Sequence, residues 1–122
     1  MLMYSYMKYT EFFKILSDQT RFTIFLLIAK GPLCVCELTA LLEIEQSRVS
    51  HALKELKRVS LIEEHRLGKW IIYNINEDIT FNKVVKTIID TISLDEEIEK
   101  KLNTLLNNGE RIWKKQQKDC QL

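Results

Sequence analysis

The sequence predicts a mainly α fold with one small β-hairpin (class α+β), and two features of its pattern carry that prediction. Only three glycines and one proline punctuate 122 residues. That is too few turn residues for an all-β sandwich and suits helices joined by short connections. Apolar side chains recur at steps of three and four along most of the chain, whereas residues 61–75 are rich in strand formers around a central Gly68. Hydrophobic residues make up 46% and charged residues 29%, which excludes a disordered chain.

The elements follow in order. Tyr9 to Leu16 carries Phe12, Phe13 and Leu16 at helical spacing, a short amphipathic helix. Ser17 or Asp18 is placed to cap the next helix, which runs to about Lys30 and is apolar nearly all round, as a central core helix would be. Gly31-Pro32 stops it. Leu33 to Cys36 reads as a short extended lead-in, Glu37 to Leu42 as a helix, and Glu43-Ile44-Glu45 as a tight connection. In the following helix, Gln46 to Val59, the residues Val49, Ala52, Leu53 and Leu56 mark a buried face opposite Ser47, Arg48, Ser50, His51, Lys54 and Lys57. Two short helices joined in this way, the second with a polar and basic outer face, form a helix-turn-helix pattern. Leu61 to Arg66 and Trp70 to Ile75 then read as a hairpin about Leu67-Gly68-Lys69. A hairpin directly after a helix-turn-helix is a wing, so the expected architecture is a winged helix-turn-helix.

Ile79 to Ile92 is expected as one helix, with Phe81, Val84, Val85, Ile88, Ile89 and Ile92 along a single stripe. Leu94 to Asn107 continues with Ile98, Leu102, Leu105 and Leu106, and Asn108-Gly109 ends it. Residues 1–109 thus form one DNA-binding and dimerisation domain, and residues 110–122 a polar tail whose order the composition leaves open. One small domain cannot easily bury the 81–92 stripe together with Phe12 and Phe13. The expected dimer interface is therefore Phe12, Phe81, Val84, Val85, Ile88, Ile89 and Ile92, in a two-fold homodimer.

Eighteen basic and 17 acidic residues leave a net charge of +1, which excludes a generally basic nucleic-acid coat. Any nucleic-acid contact must be a local patch. Residues 48–69 supply one, with Arg48, Lys54, Lys57, Arg58, Arg66 and Lys69 against Glu55, Glu63 and Glu64. Gln46, Ser47, Arg48, Ser50 and His51 begin the second helix, the part that reaches base edges in the major groove. Arg48 suits guanine O6 and N7, Lys54 and Lys57 lie further along the same face, and Arg66 and Lys69 suit phosphate or minor-groove contact at the wing. The expected partner is double-stranded operator DNA, an inverted repeat if the protein is a symmetric dimer. The N-terminus has no secretory pattern and Phe22 to Ala29 is too short to span a bilayer, so the expectation is a cytoplasmic protein without a membrane partner. No glycine-rich phosphate loop, G-x-S-x-G elbow or histidine-based nucleophile pair is present, which argues against an enzyme.

Three cysteines make a disulfide framework unlikely to account for the fold. Cys34 and Cys36, one residue apart, are either two small apolar core residues or a soft ligand pair at a strand-to-helix junction. A Cys34–Cys36 disulfide would close a strained ring. Cys120 is either a third thiolate folded over the pair, from this or the other subunit, or a solvated cysteine of the tail. Two clustered cysteines with His51 and His65 make a poor zinc set, and no cofactor is expected for folding.

Three segments resemble the ArsR/SmtB family of metalloid- and metal-responsive repressors. ILSDQTRFTIFLLIAKGPLCVCELTALL is similar to the family's opening segment, EQSRVSHALKELKRVSLI to its recognition helix, and EEHRLGKWIIYNI to its wing. The resemblance covers roughly residues 9–80 and implies a dimeric winged-helix DNA-binding protein. Cys34-Val35-Cys36-Glu37-Leu38 is similar to the C-V-C-[DE]-L box of the arsenic-responsive branch, with Thr39 where the best-known form has a third cysteine. That implies Cys34 and Cys36 as ligands for arsenite or antimonite as inducer. Two other readings share parts of the pattern: a regulator sensing oxidants, sulfur species or another soft metal through the same cysteines, and a winged helix used for protein contacts without DNA.

Overall fold

The computed structural model describes residues 2–80, 83–107, 111 and 113, with the side chains of these except residues 2–8, 79 and 80. Helix α1 (Leu2–Leu16) reaches further back than the apolar spacing from Tyr9 indicated. It turns Phe12 and Ile15 into the core and leaves Phe13 exposed. Asp18 caps α2 (Gln19–Lys30): its carboxylate accepts the Arg21 N–H at 3.0 Å. The Arg21 guanidinium in turn donates to the Ile15 carbonyl at the end of α1, at 2.7 Å.

Five consecutive residues of α2, Ile24 to Ile28, are buried, so this helix has neighbours on every side. It packs on α1, on α4 and on the wing. Gly31 ends it with an extended backbone (φ 168°) in place of the left-handed turn expected of a terminal glycine. The residue is small for another reason: a Cβ here would come within 3.2 Å of Leu106 Cδ2.

Leu33–Cys34 is a true strand, β1, and α3 (Val35–Leu42) begins two residues earlier than expected, so that Cys34 is its N-cap. Glu43 turns the chain with φ 54° before α4 (Gln46–Arg58). Val49, Ala52, Leu53 and Leu56 form the buried face of α4, as the periodicity predicts. Ser60, at φ 62°, then stands where glycine is usual: its N–H bonds the Lys57 carbonyl and the Leu61 N–H bonds that of Leu56, closing the helix.

Strands β2 (Ile62–Leu67) and β3 (Trp70–Ile75) pair antiparallel, Leu67 opposite Trp70, about a two-residue turn in which Gly68 has φ +60°. Sheet order is β1-β3-β2, with Cys34 opposite Ile72. Next come α5 (Glu77–Thr80), α6 (Lys83–Thr91) and α7 (Glu96–Asn107). The stretch read as one helix over 79–92 thus falls on two described helices, with residues 81 and 82 outside the description. Asp95 caps α7, accepting the Glu97 N–H at 3.2 Å. Among the described residues no helix is long and apolar enough to cross a membrane. The fold is a winged helix-turn-helix, with α3 and α4 as the two helices and β2–β3 as the wing.

Candidate functional site

Helix α4 owes its position to its apolar stripe, which packs on α2 and α3. The opposite face is then left outward. Gln46, Ser47, Arg48, Ser50, His51, Lys54 and Lys57 are all exposed, as are Arg66 and Lys69 on the wing. The structure refines the electrostatics of this face. Lys57 forms an ion pair with Glu64 of β2, tying helix to wing, and Arg58 pairs with Glu55 at 3.1 Å. Two of the six cations of residues 48–69 are thereby balanced. Arg48 donates to Thr20 Oγ1 at 2.9 Å, which steadies its guanidinium against the start of α2. Lys54, Arg66 and Lys69 have no carboxylate partner among the described residues, and Lys69 lies over the Trp70 ring at 5.3 Å.

Cys34 is the N-cap of α3 and Cys36 its second residue. Cys34 is 3% exposed and Cys36 is exposed. Both line one cavity of about 460 Å³ whose other walls include Glu37, Trp70, Leu105 and Arg111. Burial pushes the Cys34 thiol up to about 11, against the lowering effect of the Glu37 backbone N–H. At neutral pH it is therefore a protonated thiol, not the thiolate that a helix N-terminus alone would favour. Among the described residues no group of three or more His, Cys, Asp or Glu side chains is arranged to hold a metal ion. Cys120 lies outside the described residues.

The sequence reading missed the centre of this site. Glu37, 9% exposed, accepts the Cys34 N–H at 3.0 Å on Oε1 and closes the first turn of α3. Its carboxylate also accepts from Arg111 twice, Nε to Oε2 at 2.6 Å and Nη2 to Oε1 at 2.7 Å, and from the Trp113 indole at 2.9 Å. Arg111 donates again to the Pro32 carbonyl and lies 4.6 Å from the centre of the Trp113 ring. Burial alone would raise the Glu37 carboxyl. The hydrogen bonds from Arg111, the Cys34 N–H and Trp113, with the Arg111 charge, hold it below the usual carboxylate range. Arg111 and Trp113 belong to the stretch expected only as a polar tail, and both are buried in the fold. The partial signal was there: a lone tryptophan among Lys and Gln is out of place on a solvated segment.

The expected dimer residues divide. Phe12 and Val85 are 3% and 2% exposed within one chain, and are core residues with no surface to offer a partner. They sit there because α1 and α6 each turn one row of side chains onto the domain. Ile88 and Ile89 are half-buried, Val84 and Ile92 are exposed, and Phe81 lies outside the described residues. Phe13, not singled out for the interface, is the most exposed large apolar side chain among the described residues, at 53%.

Comparison with known proteins agrees with this geometry. The family model described as "Bacterial regulatory protein, arsR family" matches residues 18–64, from the Asp18 cap into β2. The arsenic resistance transcriptional regulator ArsR1 of Pseudomonas putida is 37% identical over 81 residues, 64% of this chain and 63% of its own length. The arsenical resistance operon repressor of Bacillus subtilis is 40% identical over 72 residues, 58% of this chain and 69% of its own. The chain thus spans a little under two thirds of the first of these relatives and slightly more of the second. Among solved structures, the homodimeric winged helix-turn-helix DNA-binding domain Mb0332 of Mycobacterium bovis superposes with a TM-score of 0.58 at 26% identity, covering 68% of this chain and 79% of that one.

Proposed function

This chain belongs to the arsR family of bacterial regulatory proteins, and from that premise we propose that it is a transcriptional repressor, not an enzyme, released from operator DNA by trivalent arsenic or antimony bound at Cys34 and Cys36. The observation that carries the reading is that both cysteines line one cavity at the start of α3, the helix packed against α4. Relatives named for arsenic resistance support the choice of ligand.

The DNA half of the mechanism follows from the exposed face. Arg48 and its neighbours at the start of α4 enter the major groove, while Lys54, Arg66 and Lys69 contact phosphate. A homodimer places two such helices on an inverted repeat, with Ile88, Ile89 and the exposed Val84 and Ile92 at or near the interface.

The ligand half is a condensation. Arsenous acid, As(OH)3, exchanges two hydroxyls for the two sulfurs, and each thiol proton leaves with a hydroxyl as water. A protonated Cys34 therefore supplies the proton that the leaving group needs. Drawing Cys36 towards Cys34 tightens the first turn of α3. Because α3 packs on α4, the recognition helix moves with it. A tenfold loss of DNA affinity needs a coupling of about 1.4 kcal/mol between the two sites. Oxidant sensing is the weaker reading, since a disulfide between Cys34 and Cys36 would close a strained ring.

The test is binding to the DNA upstream of its own gene under reducing conditions, with and without sodium arsenite. Parent protein should bind and be released. Cys34→Ser with Cys36→Ser should bind and stay bound. Full release of the double variant would place the sensor elsewhere, and release of the parent by oxidant alone would favour the redox reading.

A further inference from the structure

The thiol pair does not stand open to solvent in equal measure. Cys36 is exposed, whereas Cys34 sits in a small buried cluster with Ile72 and Trp113, with Leu67 and Trp70 of the wing packed around them. What holds the Trp113 ring there is Glu37. One carboxylate oxygen takes the indole N–H, the Cys34 N–H and one Arg111 nitrogen, and the other takes the Arg111 Nε. Arg111 and Trp113 lie 74 and 76 residues beyond Glu37 in the chain, so these two residues past α7 are fastened to the first turn of α3. Arg111 also lines the cavity that both cysteines share.

We infer that Arg111 and Trp113 form a clasp over Cys34, acting as positioning residues that set how fast and how tightly this sulfur takes up a soft electrophile such as trivalent arsenic. This rests on the reading of Cys34 and Cys36 as the ligand pair. It adds a sequence of events: Cys36, already exposed, makes the first bond, and the clasp must yield before Cys34 makes the second. Trp113 bonds Glu37 through its single N–H, and Arg111 anchors to Pro32 as well as to Glu37. Loosening either one frees the ring that covers the sulfur without touching the sulfur itself.

The experiment is alkylation of the full chain with iodoacetamide, with modification at Cys34 and Cys36 read separately by peptide mass spectrometry. It compares the parent with Arg111→Gln, Arg111→Lys and Trp113→Phe, each checked for folding by circular dichroism. The clasp predicts that Cys34 reacts at least tenfold faster in Arg111→Gln, at an intermediate rate in Arg111→Lys, and faster than parent in Trp113→Phe. Cys36 should stay within twofold throughout, which a general loosening of the fold would not give. If Arg111→Gln does not fold, Trp113→Phe decides alone, because it keeps an aromatic ring while removing the indole bond and part of the cover over the sulfur. Equal Cys34 rates across the folded variants, or equal acceleration at both cysteines, overturn the proposal. No arsenic enters this measurement. Failure of the repressor reading shows up separately, as parent protein whose DNA binding ignores arsenite.

Discussion

Replacing Arg111 by alanine tests the buried network most directly. Glu37 and Arg111 side chains are 10% and 2% exposed, and the pair is held by two hydrogen bonds. Removing the cation leaves a buried carboxylate whose remaining partners are neutral N–H groups. Breaking a buried pair from one side typically costs about 3–5 kcal/mol. The Cys34 and Trp113 N–H groups still bond the carboxylate, so the lower figure, about 3 kcal/mol, is expected. For a chain of this length that corresponds to a fall in Tm of roughly 10–15 °C.

The pH dependence carries a sign. In the parent, the Glu37 carboxyl titrates below its unfolded value, so its contribution is complete above the unfolded range and is lost as pH falls through the lower folded value. In Arg111→Ala, burial without the cation raises the same carboxyl, and protonation relieves the variant. The gap between parent and variant should therefore be widest near pH 7.5 and narrow steadily towards pH 4.5. Thermal unfolding followed by circular dichroism at three pH values reads it. A gap under about 3 °C, or one equally wide at pH 7.5 and 4.5, would refute the argument that an uncompensated charge is the cause.

Four further outcomes are expected. In DNA binding measured against salt, Lys54→Ala should lower the slope of log K by about one, and Lys57→Ala by less because Glu64 already pairs it; equal slopes would contradict that pairing. Gly68→Ala, at φ +60°, should cost about 1 kcal/mol in urea unfolding from backbone strain alone. Gly31→Ala should cost less than about 1 kcal/mol, since the extended backbone accepts alanine and only the Leu106 side chain must give way. Ile92→Asp, just past the end of α6, should shift the protein from dimer to monomer by analytical ultracentrifugation if this region is the interface; an unchanged dimer would assign the contact elsewhere.

Much of the fold was legible because its signals are local. The Asp18 cap, the four-residue buried face of α4 and the Gly68 turn each depend on residues within a few positions of one another. The exposed polar face of α4 was legible for the same reason, as the complement of the buried one. Phe12 and Phe13 show where that kind of reading ends: adjacent on α1, they cannot both face the core, and periodicity did not say which one turns outward. The start of α3 was misplaced because a cysteine N-cap gives none of the usual oxygen signal. Glu37, Arg111 and Trp113 were invisible as a group, since no pattern in the chain links residues that far apart. A buried ion pair declares itself only when the backbone has brought both ends together.

The run Ile24 to Ile28 has a consequence for how the molecule assembles and comes apart. A helical run with no solvent face cannot fray sideways, so its amides exchange with deuterated water only when the whole domain opens. Of its partners in space, α1 adjoins it in the chain, whereas α4 and β3 lie further along, so packing this helix closes one short loop and two longer ones. The middle of α2 should thus be the last region to take up deuterium, while α6, with Val85 its one buried residue, exchanges early.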